Sequence, residues 1–311
     1  METDGDDPLV SAVLITRDRP AKFRAALDSV LEQTYDRLEV VVVDGSEESV
    51  ASTARQRADG RCRVRYRRDD GEGPGAARNI GIRAAEGTFV AFLDDDDRWD
   101  SQKIQRQVAA FDPAVGTVVT GQYTVREGVR VGGRTPSLSG RVTEALLRGA
   151  PGCPTSTVMV RHDLIDRAGG FDEELPIWED REWYIRLSKH GEFRSVPARL
   201  VRRGVDGHDH LTDDYRAARD VAYPRFLRKH RSLAAEYGPA CERAFVASLS
   251  RRLAALAIET DHYSDARRHL RRALRNEPFG LQTWLYLVLS LGGPSVYDAA
   301  RRLRRVWNAS G

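Results

Sequence analysis

Thr88-Phe89-Val90-Ala91-Phe92-Leu93-Asp94-Asp95-Asp96-Asp97-Arg98-Trp99 is the stretch on which the fold turns. An apolar run of strand length ends abruptly in four consecutive carboxylates. Such a run, with little polar alternation, fits a strand covered on both faces. Four adjacent carboxylates repel one another unless a cation or solvent relieves them, and hard oxygen ligands suit Mg²⁺ or Mn²⁺. The spacing is not that of an EF-hand, so a calcium loop is not indicated.

Working outward, three further runs precede it: Leu9 to Ile15, Leu38 to Val43 and Cys62 to Tyr66. Amphipathic stretches separate them. Pro20 opens one helix, with Phe23, Leu27, Val30 and Leu31 on a common face, and Ala76 to Ala85 forms another. Strands alternating with helices predict an α/β fold with a doubly wound, mostly parallel sheet. Ligands of such sheets sit beyond the carboxyl ends of the strands. Here those ends read Thr16-Arg17-Asp18-Arg19, Asp44-Gly45-Ser46 and Asp94 to Asp97. The first turn contains no glycine, which excludes the G-x-G-x-x-G fingerprint and the P-loop at that position. Thr16, Arg19, Asp44, Asp94 and Asp95 are therefore expected to line the crevice where a ligand binds. Arg78 joins them, because it stands in the first turns of a helix preceded by glycines, where backbone N–H groups and a cation favour anions.

Downstream, Pro176-Ile177-Trp178-Glu179-Asp180-Arg181-Glu182-Trp183 gathers carboxylates between tryptophans at the start of a helix running to about His190. Asp180 is either a helix N-cap or, beside a metal site, a general base, with Trp178, Glu179 and Trp183 on the acceptor side. Gly207-His208-Asp209-His210 offers His208, or else His210, to complete a metal shell or touch phosphate.

With these residues in place, residues 9 to about 214 resemble family 2 glycosyltransferases, the large inverting group with a GT-A fold. The resemblance runs through ordered motifs: Val10 to Pro20, Ser29 to Tyr35, Val42-Val43-Asp44-Gly45-Ser46, Gly75 to Gly81, Glu86 to Trp99, and Gly169-Gly170-Phe171-Asp172-Glu173 followed by Glu179-Asp180. It implies a nucleotide-diphosphate sugar donor and a hydroxyl acceptor, either a glycan or a lipid-linked saccharide. It implies Asp44 at the nucleobase, Asp96 as direct ligand of Mn²⁺ or Mg²⁺ with Asp94 toward ribose or metal, and Asp180 as catalytic base. The family's later histidine is matched loosely by His208 or His210. Two other readings compete. A sugar nucleotidyltransferase shares the fold but carries a glycine-rich loop after the first strand, and a catalytically inactive binding or scaffold protein would not need intact Asp94, Asp96 and Asp180.

The expected domains are a GT-A domain over residues 1–215, with a nucleotide-sugar half at about 9–112 and an acceptor half at about 113–215, and a basic helical region over 216–311. Residues 216–311 hold 18 Lys and Arg against 8 Asp and Glu, whereas the rest of the chain is acidic. Helices are expected near 215–236, 239–258, 261–276, 280–291 and 295–307, broken by Gly and Pro. Arg267, Arg268, Arg271, Arg272 and Arg275 form one basic cluster and Arg301, Arg302, Arg304 and Arg305 another, suited to a solvated face or to peripheral contact with an anionic membrane. Nothing resembles a nucleic-acid reading motif. The acidic first residues do not read as a secretion signal, and the apolar run Leu281 to Leu291 is too short to span a bilayer, so a cytoplasmic location, peripheral to the inner face of the membrane, is the expectation. Cys62, Cys153 and Cys241 lack metal or disulfide spacing and are expected as buried thiols.

Overall fold

A computed structural model describes residues 7–58, 60, 62–71, 73–205 and 214–292. His208, His210 and the expected helix at 295–307 with its arginines lie outside the described residues. By compactness the chain divides into two units. The first comprises Met1–Val142, Gly152–Glu173 and Glu179–Asp206. The second comprises Thr143–Pro151, Glu174–Trp178 and Gly207–Gly311, so the division is interleaved in sequence instead of falling at one cut.

The first unit is built on a nine-stranded sheet. Strands β1 (Val10–Thr16), β2 (Leu38–Asp44), β3 (Arg63–Arg68) and β4 (Phe89–Asp94) are parallel in the order β3-β2-β1-β4. The chain winds outward from β1 to β3, then returns to place β4 on the other side of β1. That reversal puts the carboxyl ends of β1 and β4 side by side, with Ile15 opposite Asp94. Beyond β4 the sheet turns mixed: β8 (Val158–Arg161) pairs antiparallel with β4 and with β6 (Val115–Arg126), and β9 (Glu192–Gly204) runs parallel to β6. The short β5 (Asp97–Trp99) closes the far edge against β9, and β7 (Val129–Arg134) forms a hairpin with β6.

Side-chain alternation along the central strands sorts the core. Val10, Ala12 and Leu14 with Val40 and Val42 face helix α1 (Pro20–Leu31), whose Phe23, Ala26, Leu27 and Val30 recur at helical spacing and are fully buried. Val13 faces helix α3 (Pro74–Ala84), which starts with Pro74 just inside the helix after Gly73 at φ 109°. Gly81 lets α3 lie flat, since a Cβ there would stand 2.2 Å from Val13 Cγ1. One expectation fails at β3, which is an exposed edge strand carrying Arg63, Arg65, Arg67 and Arg68, not a strand covered on both faces. Charge on an edge discourages pairing with another chain. Helices α2 (Ala51–Ala58), α4 (Lys103–Val108) and α6 (His162–Ala168) complete this unit together with α7 (Glu179–Ser188).

The second unit is helical: α5 (Thr143–Leu147), α8 (Tyr215–Ala217), α9 (Tyr223–Glu236), α10 (Pro239–Glu259), α11 (Tyr263–Asn276) and α12 (Leu281–Leu291). A π-helical turn at Ala218–Ala222 runs into α9, where Pro224 has no N–H to continue regular pairing. The buried α10 is the hub, packed by α9, α11 and α5. Among the described residues no helix is long and apolar enough to cross a membrane. All three cysteines are free thiols, but only Cys241 is buried, while Cys62 and Cys153 are half-buried.

Candidate active site

The first turn and the acidic run are tied together by one carboxylate. Asp95 Oδ2 accepts the Thr16 hydroxyl at 2.9 Å and the Arg17 N–H at 3.4 Å, and its Oδ1 lies 3.4 Å from Arg19 Nη1. Asp95 and Thr16 are both buried. Their polar atoms are consumed in fixing the β1–α1 turn to the end of β4.

Asp44 is fixed by neighbouring turns in the same way. It is completely buried, Oδ1 accepts the Ser46 N–H, and Oδ2 accepts both the Val50 N–H and the Tyr66 hydroxyl. Burial alone would push its carboxyl up, but these hydrogen bonds hold it below the ordinary value. The carboxylate builds the β2 turn. Asp18, at φ 54°, donates its N–H to Ser46 Oγ and accepts the Glu47 N–H, joining the first and second turns.

Asp94 and Asp96 point the other way, with side chains 30% and 27% exposed. Asp94 is positioned by Arg78 Nη2 at 2.8 Å and by the Thr155 hydroxyl at 3.3 Å, and its N–H donates to Ser156 Oγ. Ser156 is itself pinned, because its carbonyl accepts the Trp99 indole N–H. Burial, then the charge of Asp94, pushes the Asp96 carboxyl up against the opposing pull of Arg19, 3.6 Å away. Asp97 is buried with Oδ1 lacking any hydrogen-bond partner, and burial followed by the charges of Asp94 and Asp96 drives it well above the carboxylate range.

Arg78 is the link to the downstream carboxylates. From the buried second turn of α3 it gives Nη2 to Asp94 and Nη1 to Glu179 Oε1 at 2.9 Å. Burial opposes its charge, yet Asp94, Glu179 and Asp180 hold the guanidinium pKa above its usual value. Glu179 is raised in turn, by burial first and by Asp180 second, with Arg78 opposing. Glu179 is thus an internal partner of Arg78. Asp180 follows it in the first turn of α7, half-buried, and accepts the Arg181 N–H at 2.6 Å.

The loop that delivers α7 is held by two residues that sequence reasoning passed over. Asn79 donates to the Phe171 carbonyl (2.8 Å) and to Glu173 Oε1 (2.7 Å), and accepts the Phe171 N–H (2.7 Å). Gly170 permits this, since a Cβ would stand 2.3 Å from Asn79 Oδ1. Arg186 pairs with Glu182 and caps the carbonyls of Ala168, Gly169 and Gly170. Trp183, expected on the acceptor side, is fully buried, stacked on Phe171 at 4.2 Å with its indole N–H on the Gly169 carbonyl, and is a core residue. Trp178 groups with the second unit, takes φ 65°, and meets Phe226 edge-on at 6.5 Å. A left-handed tryptophan is an outlier that only its surroundings sustain. The signal for Asn79 was present in Gly75 to Gly81, but its partner lies 92 residues away.

The donor set fits a divalent cation. Among the described residues no group of three or more His, Cys, Asp or Glu is arranged to hold a metal. The protein's share would be Asp94 and Asp96, with the diphosphate and water filling the rest, a pattern usual for Mg²⁺. The crowded carboxylates of this run, with an orphaned oxygen on Asp97, are chemistry that a cation relieves.

Comparison with known proteins agrees with this frame. A search of curated sequences matches two uncharacterized Rickettsia glycosyltransferases at 34% and 38% identity, of whose length the chain spans 15% and 17%. An uncharacterized glycosyltransferase of Nostoc is 30% identical over 65% of this chain and 66% of the relative. The UDP-Glc:alpha-D-GlcNAc-diphosphoundecaprenol beta-1,3-glucosyltransferase of Escherichia coli is 32% identical over 33% of this chain and 41% of its own. Among solved structures, a Pyrobaculum calidifontis mannosyltransferase in complex with GDP-Man and Mn²⁺ superposes with TM-score 0.58 at 19% identity, covering 98% of this chain and 87% of that one, a likeness of fold. The family model for glycosyl transferase family 2 matches residues 11–168, more than half of the 311 residues, and the chain belongs to that family.

Proposed function

We propose that this chain is a metal-dependent, inverting glycosyltransferase that moves a sugar from a nucleotide-diphosphate donor to a hydroxyl acceptor. The observation that carries the reading is Arg78, which binds Asp94 and Glu179 at once and so brings the acidic strand end beside Asp180. Asp180, half-buried in the first turn of α7, takes the proton of the acceptor hydroxyl. The freed oxygen attacks the anomeric carbon from the face opposite the diphosphate, so configuration inverts as the nucleoside diphosphate leaves. Asp94 and Asp96 would hold Mn²⁺ or Mg²⁺, which would supply Lewis-acid stabilisation of the departing diphosphate worth several kcal/mol. Arg78 gives Nη2 to Asp94 and Nη1 to Glu179, so it positions the two carboxylates.

The acceptor class proposed is a saccharide carried on a lipid diphosphate, by analogy with the E. coli relative's substrate. The decisive experiment is donor binding and transfer by Asp180→Asn. The proposal expects unaltered nucleotide-sugar affinity in the presence of Mn²⁺ and a loss of transfer by about two to four orders of magnitude. Wild-type transfer by this variant removes Asp180 as base. Donor binding indifferent to chelation removes the metal.

A further inference from the structure

Helix α12 turns the wrong residues outward for a helix in water. Leu281, Trp284, Leu285, Val288 and Leu291 fall on one face, and all are exposed, Leu281 to 83% and Leu291 to 68%. Phe279, just ahead of the helix, is 96% exposed. The inward face is mixed, with half-buried Tyr286 and Leu287 lying between two small polar residues. Thr283 and Ser290 are buried, Thr283 Oγ1 lies 3.5 Å from Arg251 of α10, and the Ser290 carbonyl accepts Arg267 Nη1 of α11 at 3.0 Å. The helix is therefore docked through this mixed face, and its wholly apolar stripe is left over.

The neighbouring helix supplies the charge. On α11, Ala266, Leu270 and Ala273 are buried, while Arg268, Arg271, Arg272 and Arg275 are exposed on the opposite side. Asp265, ion-paired with Arg219 and Arg268, is the one acid on α11, and α12 carries no charged residue. Arg267 bonds the two helices together, so a fully apolar stripe is flanked by a face of arginines.

From this juxtaposition we infer that α11 and α12 form an interfacial membrane-binding surface, which lays the α12 stripe into the headgroup region of an anionic phospholipid bilayer while the α11 arginines pair with lipid phosphates. The combination decides between occupants. An apolar helix face alone would suit any partner, but apolar side chains with an indole at the stripe and guanidinium groups beside it match the layering of a lipid surface. An eleven-residue helix, about 16 Å long, lies in the plane of such a surface and does not cross it. This inference rests on the helical unit alone and stands or falls separately from the transfer reaction.

The test is flotation of the full chain with vesicles of phosphatidylglycerol and phosphatidylcholine, against phosphatidylcholine alone. Binding is expected to the anionic vesicles and to weaken about tenfold or more when salt is raised from about 0.1 M to about 0.5 M. Leu281→Ser/Trp284→Ser/Leu285→Ser is expected to lose at least about tenfold in vesicle binding. Arg268→Glu/Arg271→Glu/Arg275→Glu, all surface changes, is expected to lose the salt-sensitive part. Donor turnover on a soluble acceptor should persist in both variants, which shows that they are folded. Full chain left in solution beside anionic vesicles overturns the inference. So does charge reversal without effect, or a wild-type mass doubled in vesicle-free solution that the serine variant halves, since the stripe would then join two copies of the chain.

Discussion

Arg78 Nη1 meets Glu179 Oε1 at 2.9 Å across 101 residues of sequence, and both side chains are almost wholly out of water. A buried ion pair of this kind adds little to stability over an apolar substitute, but breaking it leaves uncompensated charge. Arg78→Ala strands Asp94 and Glu179 together and is expected to cost about 3–5 kcal/mol in urea unfolding. Arg78→Lys keeps the charge but cannot serve two carboxylates with a planar fork, so transfer should fall by at least about tenfold even where the protein folds. A lysine variant with wild-type kcat would show that the bridge has no bearing on catalysis.

Asn79 acts on the same loop through neutral bonds. Its amide makes three hydrogen bonds to Phe171 and Glu173, and the Phe171 N–H and carbonyl it serves are buried. Asn79→Ala is expected to cost about 2–4 kcal/mol, roughly one per bond plus the penalty of an unsatisfied buried group. Asn79→Asp, which cannot donate, should be nearly as harmful. Because the loop delivers α7 and not the β1 or β4 turns, kcat should drop more than metal-dependent donor affinity. Equal losses in both would place the residue in general stability instead.

Much of this arrangement was legible before any coordinates. The succession of strands β1 to β4 along the chain, the glycine-free first turn, the acidic end of β4 and the start of α7 follow from local runs, because strand and helix periods and strand-end polarity are properties of a few adjacent residues. What sequence did not show were the internal partners of polar atoms. Asp44 and Asp95 read as donor ligands, and each also accepts hydrogen bonds from backbone N–H groups and side chains of neighbouring turns, which no local run foretells. Trp183 read as an acceptor wall and is core, because α7 turns it toward Phe92 and Phe171. Strands β8 and β9 went unread: β8 is four residues long, and β9, Glu192–Gly204, is rich in arginine, so apolar patterning fails there and pairing with β6 supplies the order. His208 lies outside the described residues, so its place near the metal remains a proposal.

The acid limb of stability should be governed by carboxylates away from the metal site. Glu39 is 1% exposed, and accepts the Ser11 hydroxyl, the Glu86 N–H and Arg65. Burial pushes its carboxyl up, but these bonds prevail and it lies below the ordinary value of 4.5. A carboxyl depressed in the folded state contributes stability that is fully present above its unfolded value and is lost as pH falls through the folded one. Asp44 acts with the same sign from 3.8 downward. The urea midpoint should therefore fall below pH about 4.5. Asp96, Asp97 and Glu179, raised in the folded protein, act with the opposite sign and lift the midpoint as pH drops from neutral toward that value. Glu39→Gln should lower the neutral-pH midpoint and flatten that fall. A variant with an unchanged acid limb would assign the effect elsewhere.

Asp95 and Asp96 are adjacent, and their variants should nonetheless fail in different ways. Asp95 holds Thr16, the Arg17 N–H and Arg19, so Asp95→Ala frees the first turn and leaves a buried hydroxyl without its acceptor. The expected result is a loss of about 1–3 kcal/mol in stability whether or not metal is present. Asp96 is more exposed and is pushed up by burial and by Asp94, so removing its charge relieves repulsion in the metal-free protein. Asp96→Ala should be as stable as wild type or more so in EDTA, and should lose the thermal shift that Mn²⁺ with a nucleotide sugar gives the wild type. Thermal unfolding of both variants, with chelator and then with Mn²⁺ and donor, separates the two roles. If Asp96→Ala retains the full ligand-induced shift while Asp95→Ala loses it, the metal belongs on Asp95 and the assignment within the acidic run is reversed.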